Sequence, residues 1–270
     1  MKNILLLSLL LASIPAWSAD PTTISSSDDL NQEKVFNHRK SHWVANFGFE
    51  NTKYKAPFDY QATQRNFKEE ESNLMGGRLG FGYEAYIGGG FILGGGISGY
   101  YMGTAFLNEK IASNAAGAKI GAENDTGQVW GGDAIGHLGW MFDYKTKNPF
   151  LGEMTYMAME LFAEAGIGKG QAYLRKDYYY DTNTSGTYEK YDAIITDNFT
   201  STSVAAGVNF LSTTTGYFLN LKVSQVFLNI DERKTRVSAT NGTTNTVAGT
   251  QKDPDIDPIT VFTLGGGYKF

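Results

Sequence analysis

Apolar side chains recur at every second position in eight separate stretches of the chain. A period of two is the mark of a strand with one face in an apolar phase and the other face elsewhere. The first stretch puts Trp43, Ala45, Phe47 and Phe49 on one face and Asn46, Gly48 and Glu50 on the other. The second sets Leu79, Phe81 and Tyr83 against Arg78, Gly80, Gly82 and Glu84. The third sets Phe91, Leu93, Ile97 and Tyr101 against Gly94, Gly96 and Ser98, and the fourth sets Trp130, Ala134, Leu138, Trp140 and Phe142 against Asp133 and His137.

The fifth stretch carries two signals. Met154 to Glu164 is rich in helix formers, and Glu160 and Glu164 stand four apart, as helix neighbours do. Yet the odd positions from Met157 to Ile167 are all apolar, against Glu160, Glu164 and Gly168. We read it as a strand, since a helix there would leave an odd strand count. The sixth sets Val204, Ala206, Val208 and Phe210 against Ser203, Gly207 and Asn209. The seventh sets Tyr217, Leu219, Leu221, Val223 and Phe227 against Asn220, Lys222 and Ser224, and the eighth sets Phe262, Leu264, Tyr268 and Phe270 against Thr263, Gly265 and Lys269.

The connections alternate in length. Tyr86 to Gly90, Asp143 to Gly152 and Leu211 to Gly216 are short, whereas Lys55 to Asn73, Met102 to Gly127, Gly170 to Thr202 and Asn229 to Pro258 are long and polar. Short turns at one rim and long loops at the other belong to up-and-down membrane barrels. The expected fold is therefore all-β, an eight-stranded antiparallel up-and-down transmembrane β-barrel.

Composition narrows the class. Glycine reaches 32 of 270 residues and aromatics 14%, while charged residues are only 19%, which suits a curved sheet in lipid better than a soluble domain. Apart from the first residues, no apolar run approaches the ~18 residues that a membrane helix needs. The net charge of −5 supplies no basic footprint, so no nucleic-acid partner is expected. With no cysteine there is neither a lipid-modified N-terminus nor a disulfide framework.

Residues 1–18 read as a secretory signal peptide. Lys2 gives the positive start, Ile4 to Ala12 the short apolar core, and Ala16 and Ser18 the small residues before cleavage after Ser18, with Ala19 as the alternative. Residues 19–41 follow as a polar, disordered periplasmic lead-in, and 42–270 form the barrel.

The chain ends Gly-Gly-Gly-Tyr268-Lys269-Phe270. This end resembles the C-terminal strand of bacterial outer-membrane β-barrel proteins, and the eight-strand count resembles the OmpA-type transmembrane domain and the OmpX and OmpW barrels. The resemblance implies an outer-membrane location among lipid and lipopolysaccharide. It also implies that Leu264, Tyr268 and Phe270 serve as the assembly signal read by the barrel-assembly machinery.

The lumen face is expected to hold Glu50, Arg78, Glu84, Asp133, Glu160, Glu164 and Lys222, with His137 among them. An eight-stranded barrel is just wide enough for its own side chains to fill it. The charges are expected to pair as a structural plug; exchange of partners would make them a gate. Carboxylates outnumber bases, so some must be hydrated, protonated or paired with Lys169 near the rim.

An enzyme is not expected. Only His38, His42 and His137 offer a base, and Asp133 is ~13 Å from His137 along a strand. Gly80-x-Gly82-x-x-Ala85 lacks the helix that a dinucleotide fingerprint needs. Asp253, Asp255 and Asp257 lack the glycine and closing glutamate of a Ca²⁺ loop. Neither a cofactor nor a metal is expected. Tyr178, Tyr179, Tyr180, Tyr188 and Tyr191 form either an exposed binding surface or a hairpin that prolongs the fifth and sixth strands. The expected role is structural or surface-interacting; the alternative, which the resemblance to OmpW implies, is a narrow or lateral conduit for small or apolar solutes.

Overall fold

The computed structural model describes residues 37–56, 60–62, 65–67, 70–104, 110–113, 119–147, 154–181, 188–239, 247–252 and 256–270. The signal peptide and most of the lead-in lie outside these residues, as do Asp253 and Asp255. Among the described residues the chain forms twelve strands. They are β1 (His42–Ala56), β2 (Tyr60–Ala62), β3 (Arg65–Phe67), β4 (Glu70–Gly88), β5 (Phe91–Thr104), β6 (Lys110–Ser113), β7 (Lys119–Lys147), β8 (Met154–Asp181), β9 (Tyr188–Ser212), β10 (Tyr217–Ala239), β11 (Val247–Lys252) and β12 (Ile259–Lys269).

Eight of these close a barrel. β1, β4, β5, β7, β8, β9, β10 and β12 pair antiparallel in that order. β12 then pairs with β1, from Val44↔Lys269 to Thr52↔Val261. Reciprocal hydrogen bonds of 3.0 Å between the Trp43 and Phe270 backbones finish the seam. Closure leaves no free edge within the band that lipid surrounds, which is what lets a sheet span a bilayer. The fifth stretch is strand throughout, inside β8.

The alternation sorts faces as expected. Phe49, Leu79, Ile97, Ile167, Leu219 and Phe262 are exposed on the outside, while Glu50, Ser98, Glu160 and Lys269 are buried inside. Aromatic rings collect at the rim where β1 begins and β12 ends, here the turn end. Trp43 stacks on Phe81 at 5.3 Å, Phe91 on Trp140 at 6.3 Å, and Tyr217 packs on Tyr268 at 4.8 Å. Phe49, Tyr101, Trp130, Phe227 and Phe262 mark the opposite side of the apolar band. A closed sheet with an apolar outer band between aromatic girdles is a transmembrane barrel of the outer-membrane type.

The turn end is tight. Gly88, Gly89 and Gly90 all take positive φ (111°, 61° and 89°) between β4 and β5, a backbone that other residues rarely adopt.

The loop end corrects an expectation. Much of what the apolar pattern marks as loop is strand: β8 runs on to Asp181, β9 starts at Tyr188, β10 continues to Ala239 and β7 begins at Lys119. A lipid-spanning strand needs only ~9–11 residues. At 28 residues, β8 carries its ladder far beyond the bilayer. Outside lipid a strand needs hydrogen-bonded neighbours but no apolar outward face, so the alternation stops while the pairing continues. The outward face turns polar there: Gln171 bonds Asn198 at 2.8 Å, and Arg175 meets Asp192 at 3.0 Å. The tyrosine-rich segment is the hairpin that prolongs β8 and β9, with Tyr178↔Tyr191 in register.

Candidate lumen site

The barrel interior is layered. At the turn end Val44, Ile92, Met141, Ala158, Leu211 and Phe218 form a buried apolar cluster. At the loop end a larger one includes Leu74, Met102, Val129, Leu174, Phe199 and Ile230, and Ile256 drops into it from the segment before β12. Apolar plugs at both ends were not expected from a simple apolar-out, polar-in rule. The charged side chains lie between them, in two networks.

The first network is centred on Glu160, whose residue has no exposure. Its Oε1 receives His137 Nε2 at 2.7 Å; its Oε2 receives Lys269 Nζ at 3.1 Å and Asn209 Nδ2 at 3.0 Å. Asn220 Nδ2 donates in turn to Asn209 Oδ1 at 2.7 Å. Lys269 also pairs with Glu84. His137 Nδ1 lies 3.3 Å from Glu164 Oε1, and Lys222 Nζ lies 3.0 Å from Glu164 Oε2. Strand register explains these meetings: His137 is directly opposite Glu164 in the β7–β8 ladder. Glu84 reaches towards His137 across Gly94, which stands between them in register on β5.

Arg78 organises the second network. Its Nε meets Glu50 Oε1 at 2.5 Å, and its Nη1 meets Asp133 Oδ2 at 2.5 Å and Ser98 Oγ at 2.7 Å. The guanidinium lies 4.7 Å from the centre of the Tyr100 ring, a cation–π contact. Glycines make the room: a Cβ on Gly168 would stand 2.0 Å from Asp133 Oδ1, and one on Gly139 2.2 Å from Glu160 Oε1.

All seven lumen residues named from the sequence lie in these networks, and His137 joins them. Two cations are reassigned. Lys169 does not complete the charge balance, because it follows Ile167 on the outward face and is exposed. Lys269, inward on β12 and 1% exposed, is the missing base. His137 turns to the neighbouring strand rather than to Asp133.

A third group escaped sequence reading. Tyr54 Oη donates to Asp197 Oδ2 at 2.8 Å, and Arg233 holds both Asp197 oxygens, from Nε at 2.8 Å and Nη2 at 2.6 Å. It sits at the loop end beyond the apolar band. Burial, with the Asp197 carboxylate beside it, pushes the Tyr54 phenol well above its ordinary range. Asp197 and Arg233 lie in segments without outward apolar alternation, so no strand face placed them inside.

Glu84, His137 and Glu160 present ligand atoms within 4.8 Å of one another, a set that could hold a metal ion. The Lys269 ammonium already bridges the two carboxylates of that set. At the turn end, residues 37–40 form a hydrogen-bonded turn. From it His38 Nε2 and Arg39 Nη2 reach Asp143 at 2.7 and 2.5 Å. Leu264 and Tyr268 are exposed on the outer face of β12, and Phe270, which follows it, is exposed too.

No protein-family model matches the chain, and no curated protein matches it in sequence. Several solved structures align over most of its length. Ail, the attachment invasion locus protein of Yersinia pestis, in complex with the heparin analogue sucrose octasulfate, is 12% identical, with 86% of this chain and 99% of that one covered and a TM-score of 0.38. Outer membrane protein AlkL in lipid bilayers is 14% identical over 91% and 96% of the two chains, with a TM-score of 0.35. A major outer membrane protein of Thermus thermophilus is 13% identical over 84% and 99%, with a TM-score of 0.34. The barrel itself rests on its own closed ladder of strand pairs.

Proposed function

We propose that this chain is a non-conducting barrel of the bacterial outer membrane that holds its prolonged hairpins at the cell surface for an interaction role. The filled interior carries this reading. Two apolar clusters close the ends, ion pairs fill the middle, and the cavity between the two networks measures only about 60 Å³. The turn end then faces the periplasm, and the loop end faces outward. Lipid and lipopolysaccharide are the surrounding partners of the apolar band. Leu264, Tyr268 and Phe270 are the residues offered to the barrel-assembly machinery. The reading is non-enzymatic: His137 is engaged by Glu160 and Glu164, and His38 by Asp143, which leaves neither poised beside a nucleophile.

The test is conductance of the refolded full chain in planar bilayers. A plugged barrel gives no stepwise current at neutral pH. Stable unitary steps would favour the conduit reading instead.

A further inference from the structure

The polar face that β8, β9 and β10 carry beyond the bilayer is not evenly charged, and a break in β10 makes it so. The β9–β10 pairing shifts by one residue between Ile230 and Glu232. Before that bulge the odd positions of β10 face outward, with Leu219, Leu221, Val223 and Phe227 exposed. After it the parity is inverted. Arg233 and Thr235 are buried, while Lys234 and Arg236 are exposed on the outside. A bulge re-aims side chains without ending the strand. This one sends Arg233 inward to Asp197 and turns two further cations out.

Register sets where those cations stand. Arg175, Ile194 and Arg236 lie side by side on β8, β9 and β10, and Tyr173, Thr196 and Lys234 form the row beneath. With strands ~4.8 Å apart, the two arginines start ~10 Å from each other, within reach of one polyanionic group between them. Lys169, outward on β8, stands below both rows. Asp192 and Glu232 are the acids among the described side chains of this face. Arg175 holds Asp192 at 3.0 Å, and Lys234 is 3.8 Å from Glu232. Lys169 and Arg236 meet no carboxylate among the described residues. The four cations outnumber the two carboxylates, so the face is positive on a chain whose net charge is −5. Its complement is an anion.

Height selects the anion. Gln171 is in register with Trp130 of the outer aromatic girdle, and Arg175 follows further along β8. At ~3.4 Å per residue and a tilt of about 35–45°, Arg175 stands ~10 Å above Trp130, and Arg236 stands ~20 Å above Phe227. Phospholipid headgroups occupy only about 5–8 Å on each side of the hydrocarbon core, which stops short of both arginines. The phosphorylated sugars of lipopolysaccharide stand taller. The face also continues, on the same strands, the surface that meets lipid, so it borders molecules whose acyl chains lie against the apolar band. Arginine forks suit phosphate oxygens, and the Tyr173 ring offers a flat amphipathic area to a sugar.

We propose that the outward face of β8, β9 and β10 is a docking surface for the phosphorylated saccharide of lipopolysaccharide, with Arg175, Lys234 and Arg236 on its phosphates. This rests on the outer-membrane reading above, with the loop end outward. The test titrates the refolded full chain, in detergent micelles, with purified lipopolysaccharide that has a phosphorylated core. Wild type should bind it, and Lys234→Gln/Arg236→Gln should bind at least ~tenfold more weakly. Enzymatically dephosphorylated lipopolysaccharide should lose affinity for wild type in the same way. Equal binding by the two proteins, or of the two lipids, would overturn the proposal. So would a preference for a soluble sulfated glycan, which would give the face to an extracellular polymer. If the double variant fails to refold, amine labelling of wild type decides. Lipopolysaccharide should slow acetylation of Lys234 more than that of Lys145 at the turn end, and equal slowing would overturn the site. Conductance judges the plugged reading separately: stepwise current with lipopolysaccharide binding intact sinks that reading alone, and a silent barrel that ignores the phosphates sinks this one alone.

Discussion

Lys269 Nζ lies 3.1 Å from Glu160 Oε2, tying the last strand of the barrel to the centre of its lumen. The two residues are 109 positions apart, and both are almost wholly buried. Tyr268 and Phe270 face outward on either side of Lys269. One short segment thus presents aromatic rings to lipid and a cation to the interior.

Removing that cation should be expensive. Lys269→Met leaves Glu84 and Glu160 facing each other without their shared partner. Loss of one member of a buried pair typically costs about 3–5 kcal/mol. Replacing Glu160 as well, in Lys269→Met/Glu160→Gln, should recover part of the loss. Urea titrations of the refolded barrels measure both. A single variant as stable as wild type would remove Lys269 from the network.

Glycine positions give a second test, with opposite results on one strand. Gly139 faces inward, where a Cβ would meet Glu160 Oε1 at 2.2 Å; Gly136 faces outward, with its nearest contact at 3.8 Å. Gly139→Ala must push the carboxylate away from His137 and should lose about 1–3 kcal/mol, as overpacking does. Gly136→Ala should fold with nearly unchanged stability. The same denaturant titration separates them; equal losses would deny the Gly139–Glu160 crowding, and a reversed order would place both glycines on the wrong faces.

How far these contacts were legible depends on where lipid is. Within the bilayer every outward residue must be apolar, so alternation exposed the eight strands and the inward Glu50, Arg78, Glu84, Asp133, Glu160, Glu164 and Lys222. Strand parity also places Lys269 inward and Lys169 outward, as the structure has them. The turn-end core had its own signal. Trp43–Val44, Phe91–Ile92, Trp140–Met141 and Tyr217–Phe218 break the alternation with adjacent apolar residues, and the second member of each pair lies inside. Beyond the bilayer the constraint disappears. Tyr54, Asp197 and Arg233 meet across strands whose outward faces are polar, and only the register of β9 and β10 brings the last two together.

The turn-end contact of Asp143 predicts a pH effect. A hydrogen bond from His38 and that residue's charge, together with Arg39, hold the Asp143 carboxyl below its ordinary value against partial burial. A carboxyl with a lowered folded-state pKa contributes stability above its unfolded value. That contribution disappears as pH falls through the folded one. Wild type should therefore exceed Asp143→Asn in stability at neutral pH, and the gap should close on acidification. Asp143 is partly exposed, so the gap is modest and should shrink with added salt. Denaturation midpoints of the two proteins across that pH range provide the check. A gap that widens towards acid would contradict the assigned contact.

The face assignment of β10 is the most exacting test, because a shift of one residue inverts it. Leu221 points to lipid and is 42% exposed, while Asn220 points inward and donates to Asn209 Oδ1. An arginine on the lipid face costs about 2–4 kcal/mol near the bilayer midplane. Leu221→Arg should lose that much in a folding titration into lipid vesicles. Asn220→Arg forfeits one hydrogen bond and crowds the lumen. Its charge, however, enters a space where carboxylates outnumber cations and where Glu160 already bonds Asn209. The expected order is therefore a larger loss for Leu221→Arg than for Asn220→Arg. Raising the salt should not rescue Leu221→Arg, whose penalty is removal of charge from water rather than repulsion between charges. The reverse order would mean that β10 carries Leu221 inside, and Lys222 would then leave the Glu164 pair for lipid.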